Sequence, residues 1–515
     1  MGVLLPVQIK VIGREPCARL RADQKKWRHQ GVPERFKKTR SARLAPLFSG
    51  QARMAALMMT CSLSACGLLG GDDKAKAPRT PYLTGFVGEV VADEPQAALV
   101  ARDVLAKGGN AADAAAALGM ALSVTLPSRA SLGAGGACLA WKPGDAQGQA
   151  FVFLPKAGEA DAQSDRPASV PMLARGLYMM QLRYGSVDFA DIVVTARNLA
   201  TDGVPVSGLL ASDLAAVQSP LLADEKTRTI FSNGNGSVLK VSDLMVQPRL
   251  AGALERIRIA GVGDLYNGSL AQAFVQGAQA AGGGLSTADL RNSLATVETP
   301  LTLRSGGVDI SFLPPPADGG LGTAAAFIGS DGHATVRGEA VVSGWRSRQS
   351  GKGGSVNVAD AQALLNTGSF PSGSALPALP ASTSFVVTDR QGETVSCAVS
   401  MNNLFGTGRI AGSTGVVLGA SPARRPLPLL TAAIAHQGTA QFRAAATASG
   451  QNVAADTAAV ALQAAIAGGR PDVTSGPGRA NFVSCPAGLP GGAGKCFGWT
   501  DPRGSGLAIS SGGTK

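Results

Sequence analysis

A pair of hydroxyls, Ser382-Thr383, stands at the head of a strand-like run and behind a segment rich in Gly and Ser. A hydroxyl at the start of a buried strand, after a loop that can be cut, suits an N-terminal nucleophile. Cleavage of the Ala381–Ser382 peptide would free an α-amine, and an α-amine with a pKa of about 7.7–8.0 can serve as general base for its own side chain. Histidine chemistry is harder to assemble. The chain has three His. His29 lies in a basic leader, and His333 and His436 sit beside Gly-containing turns, where they read as surface loop residues. A Ser-His-Asp triad or a zinc-histidine centre therefore lacks partners. No Cys/His spacing matches a metal site, and neither metal nor cofactor is expected.

The hydroxyl pair must be positioned by its surroundings. Ser384–Thr388 and Thr394–Ser400 flank the polar turn Asp389-Arg390-Gln391-Gly392, the pattern of a β-hairpin. Upstream, a helix is expected over Ala97–Lys107, stopped by Gly108-Gly109-Asn110, and a second, Ala-rich helix over Ala111–Val124. The stretch Ser131–Trp141 turns a Gly-rich bend into a strand. Because its glycines open a strand and not a helix, it is not a dinucleotide fingerprint. Between Ala340 and Leu379 the composition suggests a mobile loop with one helical island near Val358–Leu365. Leu427–Ala435 and Ala444–Ser449 read as further elements and Val453–Ala467 as an Ala-rich helix. The Gly/Pro-rich tail, 470–515, reads as loop.

Charge argues against a nucleic-acid partner. The chain carries 47 Lys/Arg against 35 Asp/Glu. Residues 1–53 hold 13 of the basic and 3 of the acidic groups, so the remainder is close to neutral. The basic stretch leads into the short apolar run Met54–Cys66, which reads as a secretory signal too short to span a bilayer. Leu63-Ser64-Ala65-Cys66 resembles a bacterial lipobox, which implies lipidation at Cys66 and, with Gly67 following, sorting to the periplasmic face of the outer membrane. An exported compartment permits disulfides, and Cys485 and Cys496 are close enough in the tail to pair. Cys138 and Cys397, in apolar strand-like runs, read instead as small buried residues.

Several motifs, in order, carry a family resemblance. Val104-Leu-Ala-Lys-Gly-Gly-Asn-Ala-Ala-Asp-Ala-Ala115 and Leu132-Gly-Ala-Gly-Gly136 are similar to two glycine-bearing elements of γ-glutamyltransferases. Val170-Pro171 with Arg183-Tyr184-Gly185, Asp202–Ser207, Leu265–Ala271 and Leu313–Gly320 match further elements, and Phe405-Gly-Thr-Gly408 matches the family's FGTG turn. The resemblance implies an α+β fold, the four-layer αββα sandwich of N-terminal nucleophile hydrolases. It also implies a large-subunit-like region 87–381, including the loop 340–381, and a small-subunit-like region 382–515, after a leader 1–66 and a tether 67–86. Ser382 falls at the position of the catalytic Thr, with Thr383, Ser400 and Asn402 at supporting and substrate-binding positions. Ala381–Ser382 becomes the cleavage site, and Gly450 and Gln451 the oxyanion loop.

The departures concern the donor. The family's carboxylate-clamping Arg has only Lys156 nearby, and Lys cannot reproduce a bidentate grip. The acidic residues that hold the donor amine are replaced around Ser421, and of two conserved hydroxyls only Thr431 remains. The resemblance implies an autoprocessing amidohydrolase or transferase for γ-glutamyl or related amide bonds. Its partners would be a small amide or peptide substrate and, after processing, its own second fragment. The departures leave open an impaired envelope lipoprotein with a binding or structural role.

Overall fold

A computed structural model describes residues 82–329, 337–350, 357–378, 381–423, 426–472 and 476–511. Cys66, His333 and the basic leader lie outside the described residues. In chain order the strands are β1 (Gly88–Ala92), β2 (Gly135–Trp141), β3 (Gln149–Phe153), β4 (Val204–Pro205), β5 (Leu244–Met245), β6 (Thr296–Glu298), β7 (Leu301–Ser305) and β8 (Val308–Phe312). They continue as β9 (Ser382–Asp389), β10 (Thr394–Ser400), β11 (Ala433–Gln437), β12 (Gln441–Ser449), β13 (Arg479–Leu489), β14 (Phe497–Thr500) and β15 (Leu507–Ser511). Two antiparallel sheets result, ordered β15-β1-β9-β10-β2-β3-β6 and β14-β13-β12-β11-β8-β7, with β4 and β5 forming a separate small pair.

The two-residue strand period divides each strand between two cores. Phe385 and Val387 of β9 join the core under the helices Pro95–Ala106, Ala111–Thr125 and Leu173–Tyr184. Val386, between them, joins the inter-sheet core with Ala137, Ala398, Ile434 and Val483. A third core lies between the second sheet and the helices Gly319–Gly329, Gly338–Ser350 and Ala454–Ala467. The order is helix, sheet, sheet, helix, the four-layer arrangement expected. Every residue of the helix Ala111–Thr125 is buried, which its small side chains permit. Its N-terminus carries a capping box of Asn110 with Asp113, and its next two free N–H groups are met by the hairpin turn. Ala111 N–H donates to Asp389 Oδ2 at 3.1 Å and Ala112 N–H to Glu393 Oε1 at 3.0 Å.

Four sequence expectations are corrected. The loop expected over 340–381 is largely taken up by the helix Gly338–Ser350, while the helical island expected near Val358–Leu365 is the helix Val358–Thr367. Asp456 Oδ1 caps the first by accepting from Arg337 and Gly338 N–H, and Val341, Val342 and Trp345 are buried by it. The described part of the tail expected as loop supplies β13, inside the second sheet, and the edge strands β14 and β15. Glycines and prolines around the Arg479–Leu489 run mask its apolar core, Ala480–Cys485, which is wholly buried. His436 is a buried strand residue stacked on Trp141 at 4.8 Å between centroids, its Nδ1 2.6 Å from the Gly438 carbonyl oxygen. Cys138 and Cys397 are directly opposed on β2 and β10 and form a disulfide. A second disulfide joins Cys485 and Cys496.

Candidate active site

The register of β9 on β10 sets Ser382 opposite Ser400. Alternation turns Ser382, Ser384 and Val386 toward the second sheet, where Ser384 Oγ accepts from Asn481 Nδ2 at 3.0 Å. Ser382 is 2% exposed. The carbonyl immediately before it, that of Ala381, accepts two hydrogen bonds: from Ser400 Oγ at 3.1 Å and from Met401 N–H at 3.2 Å. Ser400 Oγ also accepts from Asn402 N–H at 2.8 Å. Asn402 takes a left-handed backbone, φ 61°, conformationally accessible to Asn, and is fully buried.

Thr383 is held from below. Its Oγ1 donates to Asp93 Oδ2 at 3.1 Å, as does Ser384 N–H at 3.1 Å. The same carboxylate accepts from Ser449 Oγ at 2.9 Å and, through Oδ1, from Asn481 Nδ2 at 2.8 Å. Burial pushes the Asp93 carboxyl above its usual range, while these donors and Arg129 pull it back. Arg129 Nη1 donates to the Ser382 carbonyl at 3.0 Å.

Thr431 Oγ1 is used internally, donating to the Ala448 carbonyl at 3.1 Å and accepting Ala448 N–H at 2.9 Å. That contact fixes the end of β12, from which Ser449 reaches Asp93 and the chain turns at Gly450. Gly450 has φ 120° and a Cβ there would stand 2.5 Å from the Pro477 carbonyl oxygen, so the turn requires glycine. Gln451 begins a short 3-10 turn through Val453.

Lys156 is directed elsewhere. Its Nζ donates to the Leu294 carbonyl at 2.9 Å, and burial with the nearby Arg175 cation lowers its pKa. It does not line the cavity of about 580 Å³ that opens beside the Asn402 loop, whose walls include Arg166, Pro377, Ala378, Asn403 and Ser421. Arg166 is the described cation on that wall, its Nε 3.8 Å from Asp165. Ser421 Oγ donates to Asp161. Asp93, Arg129 and Arg166 were not anticipated from sequence. Asp93 and Arg129 are single polar residues in Val90-Val-Ala-Asp-Glu-Pro and Leu126-Pro-Ser-Arg, and a buried polar group without a visible partner was the only signal available. Among the described residues no group of three or more metal-ligating side chains comes together, and no helix is long and apolar enough to cross a membrane.

Residues 97–332 match the family Gamma-glutamyltranspeptidase. The chain is 30% identical over 381 residues to a glutathione hydrolase proenzyme of Escherichia coli (strain K12), covering 64% of this chain and 65% of that protein. It is 29% identical over 255 residues to a glutathione hydrolase proenzyme of Bacillus subtilis (strain 168), covering 46% of this chain and 43% of that protein. The chain thus spans two thirds or less of the length of these relatives. The fold is that of a cephalosporin acylase from Bacillus halodurans, with a TM-score of 0.63 at 18% identity, over 86% of this chain and 99% of the other. With an αββα sandwich and a hydroxyl-led β9, the chain is similar to the gamma-glutamyltranspeptidase family, whose model residues 97–332 match.

Proposed function

We propose that the protein is an exported, autoprocessing N-terminal nucleophile enzyme that hydrolyses or transfers γ-glutamyl or related amide bonds, with Ser382 as nucleophile. One observation carries the reading: the Ala381 carbonyl, one bond from the nucleophile residue, is held by Ser400 Oγ and Met401 N–H. Two donors on one carbonyl oxygen stabilise the charge that grows there when a hydroxyl attacks. Ser382 Oγ adds to the Ala381 carbonyl carbon, its proton passes to the Ser382 nitrogen, and the C–N bond breaks to leave an ester and a free amine. Water hydrolyses the ester to the Ala381 carboxylate and regenerates the Ser382 hydroxyl.

In turnover the freed amine takes the Ser382 Oγ proton as Oγ attacks the substrate amide. The ammonium then returns that proton to the departing amine, leaving an acyl ester for water or an acceptor amine. The Gly450–Gln451 turn supplies backbone N–H groups for the substrate oxyanion. Lipidation at Cys66 would tether the enzyme to the periplasmic face of the outer membrane, and the two disulfides agree with an oxidising compartment.

A second reading is favoured by Lys156, whose ammonium is engaged by Leu294 instead of the cavity. An amino-acid donor would then lack its family carboxylate clamp, and the protein would act in the envelope by binding. Intact-mass analysis tests the first reading through a fragment beginning at Ser382. Release of p-nitroaniline from γ-glutamyl-p-nitroanilide, against other anilides, separates the two. A purified chain that stays uncut and silent on the whole panel sinks the enzymatic reading.

A further inference from the structure

The head of β9 is gripped from a side that the steps above do not use. Arg129 Nε and Nη2 each lie 2.7 Å from an oxygen of Asp213, a bidentate pair. Nη1, the opposite corner of the same planar group, donates to the Ser382 carbonyl at 3.0 Å. Asp213 is 4% exposed and accepts a further bond from Ser128 Oγ at 2.7 Å. A buried ion pair is a weak source of net stability. What this one provides is orientation: the anion lies behind the guanidinium, and the positive corner faces the nucleophile residue.

We infer that Arg129 is a positioning residue for the nucleophile, holding the Ser382 carbonyl in register after cleavage and keeping the freed Ser382 amine unprotonated by its charge. The inference rests on the proposed cleavage at Ala381–Ser382. Cleavage removes the covalent restraint on the amino side of Ser382. The Arg129 bond is on the carbonyl side and survives. A protonated amine cannot accept the Ser382 Oγ proton, and a nearby cation disfavours a second positive charge. A free α-amine, with a pKa of about 7.7–8.0, is mostly protonated at neutral pH, so a downward shift raises the working fraction.

Among the described residues, two other ionisable groups face this corner. Asp213 is bound to the far edge of Arg129. Asp93 lies under Thr383, wholly buried and already bonded to Thr383 Oγ1, Ser384 N–H, Ser449 Oγ and Asn481 Nδ2. Burial pushes its carboxyl above the usual range, against the pull of Asn481, Ser449, Ser384 N–H and Arg129.

Pulsed labelling with acetic anhydride, followed by mass spectrometry of the processed, folded protein, reads the free-base fraction of the Ser382 amine without any substrate. Arg129→Gln combined with Asp213→Asn removes both charges together, and its amine should label about tenfold more slowly at pH 7 than wild type, as one pKa unit entails. Arg129→Lys, which keeps the charge, should stay close to wild type. Asp213→Asn alone exposes the cation and should label faster, an opposite shift that holds the inference to account even if the double variant does not fold. Equal labelling of wild type and double variant between about pH 5 and 9 overturns the role of Arg129, as does Asp213→Asn labelling no faster than wild type. A wild-type chain with no terminus at Ser382 overturns the processing proposal itself. A cut chain with unchanged labelling overturns only this inference.

Discussion

Ser400 serves two neighbours through one oxygen, donating to the Ala381 carbonyl and accepting from Asn402 N–H. Its hydroxyl thus couples the bond proposed to be cut to the left-handed turn beside the cavity. Removing one of two donors to a developing oxyanion costs about 10²–10³ in rate. Ser400→Ala should therefore slow self-cleavage by about 10²-fold, leaving Met401 N–H as the remaining donor, whereas Ser400→Thr retains it. Ser382→Ala should remain uncut, and Ser382→Thr should cut at least as fast because the added methyl restricts χ1. A time course of intact chain against fragments on denaturing gels reads all four. Cleavage of Ser382→Ala at the wild-type rate would falsify Ser382 as the processing nucleophile. These residues were legible through the family resemblance, and the hairpin register that pairs Thr388 with Thr394 sets Ser400 opposite Ser382. Asp93 and Arg129 were not, because their partners lie far along the chain. Asn481 is 388 residues from Asp93, and Ser382 is 253 from Arg129. Lys156, chosen for its nearness to a motif in sequence, bonds instead to a carbonyl 138 residues away.

The hairpin and the helix Ala111–Thr125 form a joint built on two buried carboxylates. Burial, reinforced by its neighbour Asp389, raises the Glu393 pKa to about 8, against the pull of Ala112 N–H and Lys142. Burial also raises that of Asp389 to about 6, although four backbone N–H groups oppose the shift. Both shifts are upward, so between the unfolded and folded pKa values the folded state binds more protons. By linkage the stability from this joint is complete below about pH 4 and is lost as pH rises through about 6 and then about 8. Glu393→Gln keeps an acceptor for Ala112 N–H and cannot ionise. It should raise stability at pH 9 by on the order of 2 kcal/mol and leave acidic conditions nearly unchanged, as thermal melts across pH would register. A melting profile with the same alkaline decline in Glu393→Gln would remove the joint as its cause. At this scale the apolar strands and Ala-rich helices were readable by period. The strand β13 was not, since Pro486, Gly488 and Pro490 interrupt the pattern that its partner β12 completes in space. The helix Gly338–Ser350 was hidden likewise: its cap, Asp456, sits on another helix.

At the scale of the molecule, the proposed cut falls within a structure that does not divide there. β9 and β10, which would belong to the new fragment, lie between β1 and β2 of the other, and the second sheet mixes β7 and β8 with β11–β14. Separation would break both sheets and expose the inter-sheet core. The disulfide Cys138–Cys397 adds a covalent link across the same boundary, because Cys138 precedes Ser382 and Cys397 follows it. Cys485–Cys496 lies wholly on one side. The processed protein should therefore run as a single species on non-reducing denaturing gels and as two after reduction. Cys397→Ala should give two bands without reductant, while Cys485→Ala should leave the single band intact. In native solution the Cys397→Ala fragments should still elute together, since sheet pairing and burial hold them independently of the bond. Its melting temperature should fall, because removing a native disulfide costs about 2–5 kcal/mol. Two bands from the wild type without reductant, in protein isolated from an oxidising compartment, would show that the bridge across the cut is not formed.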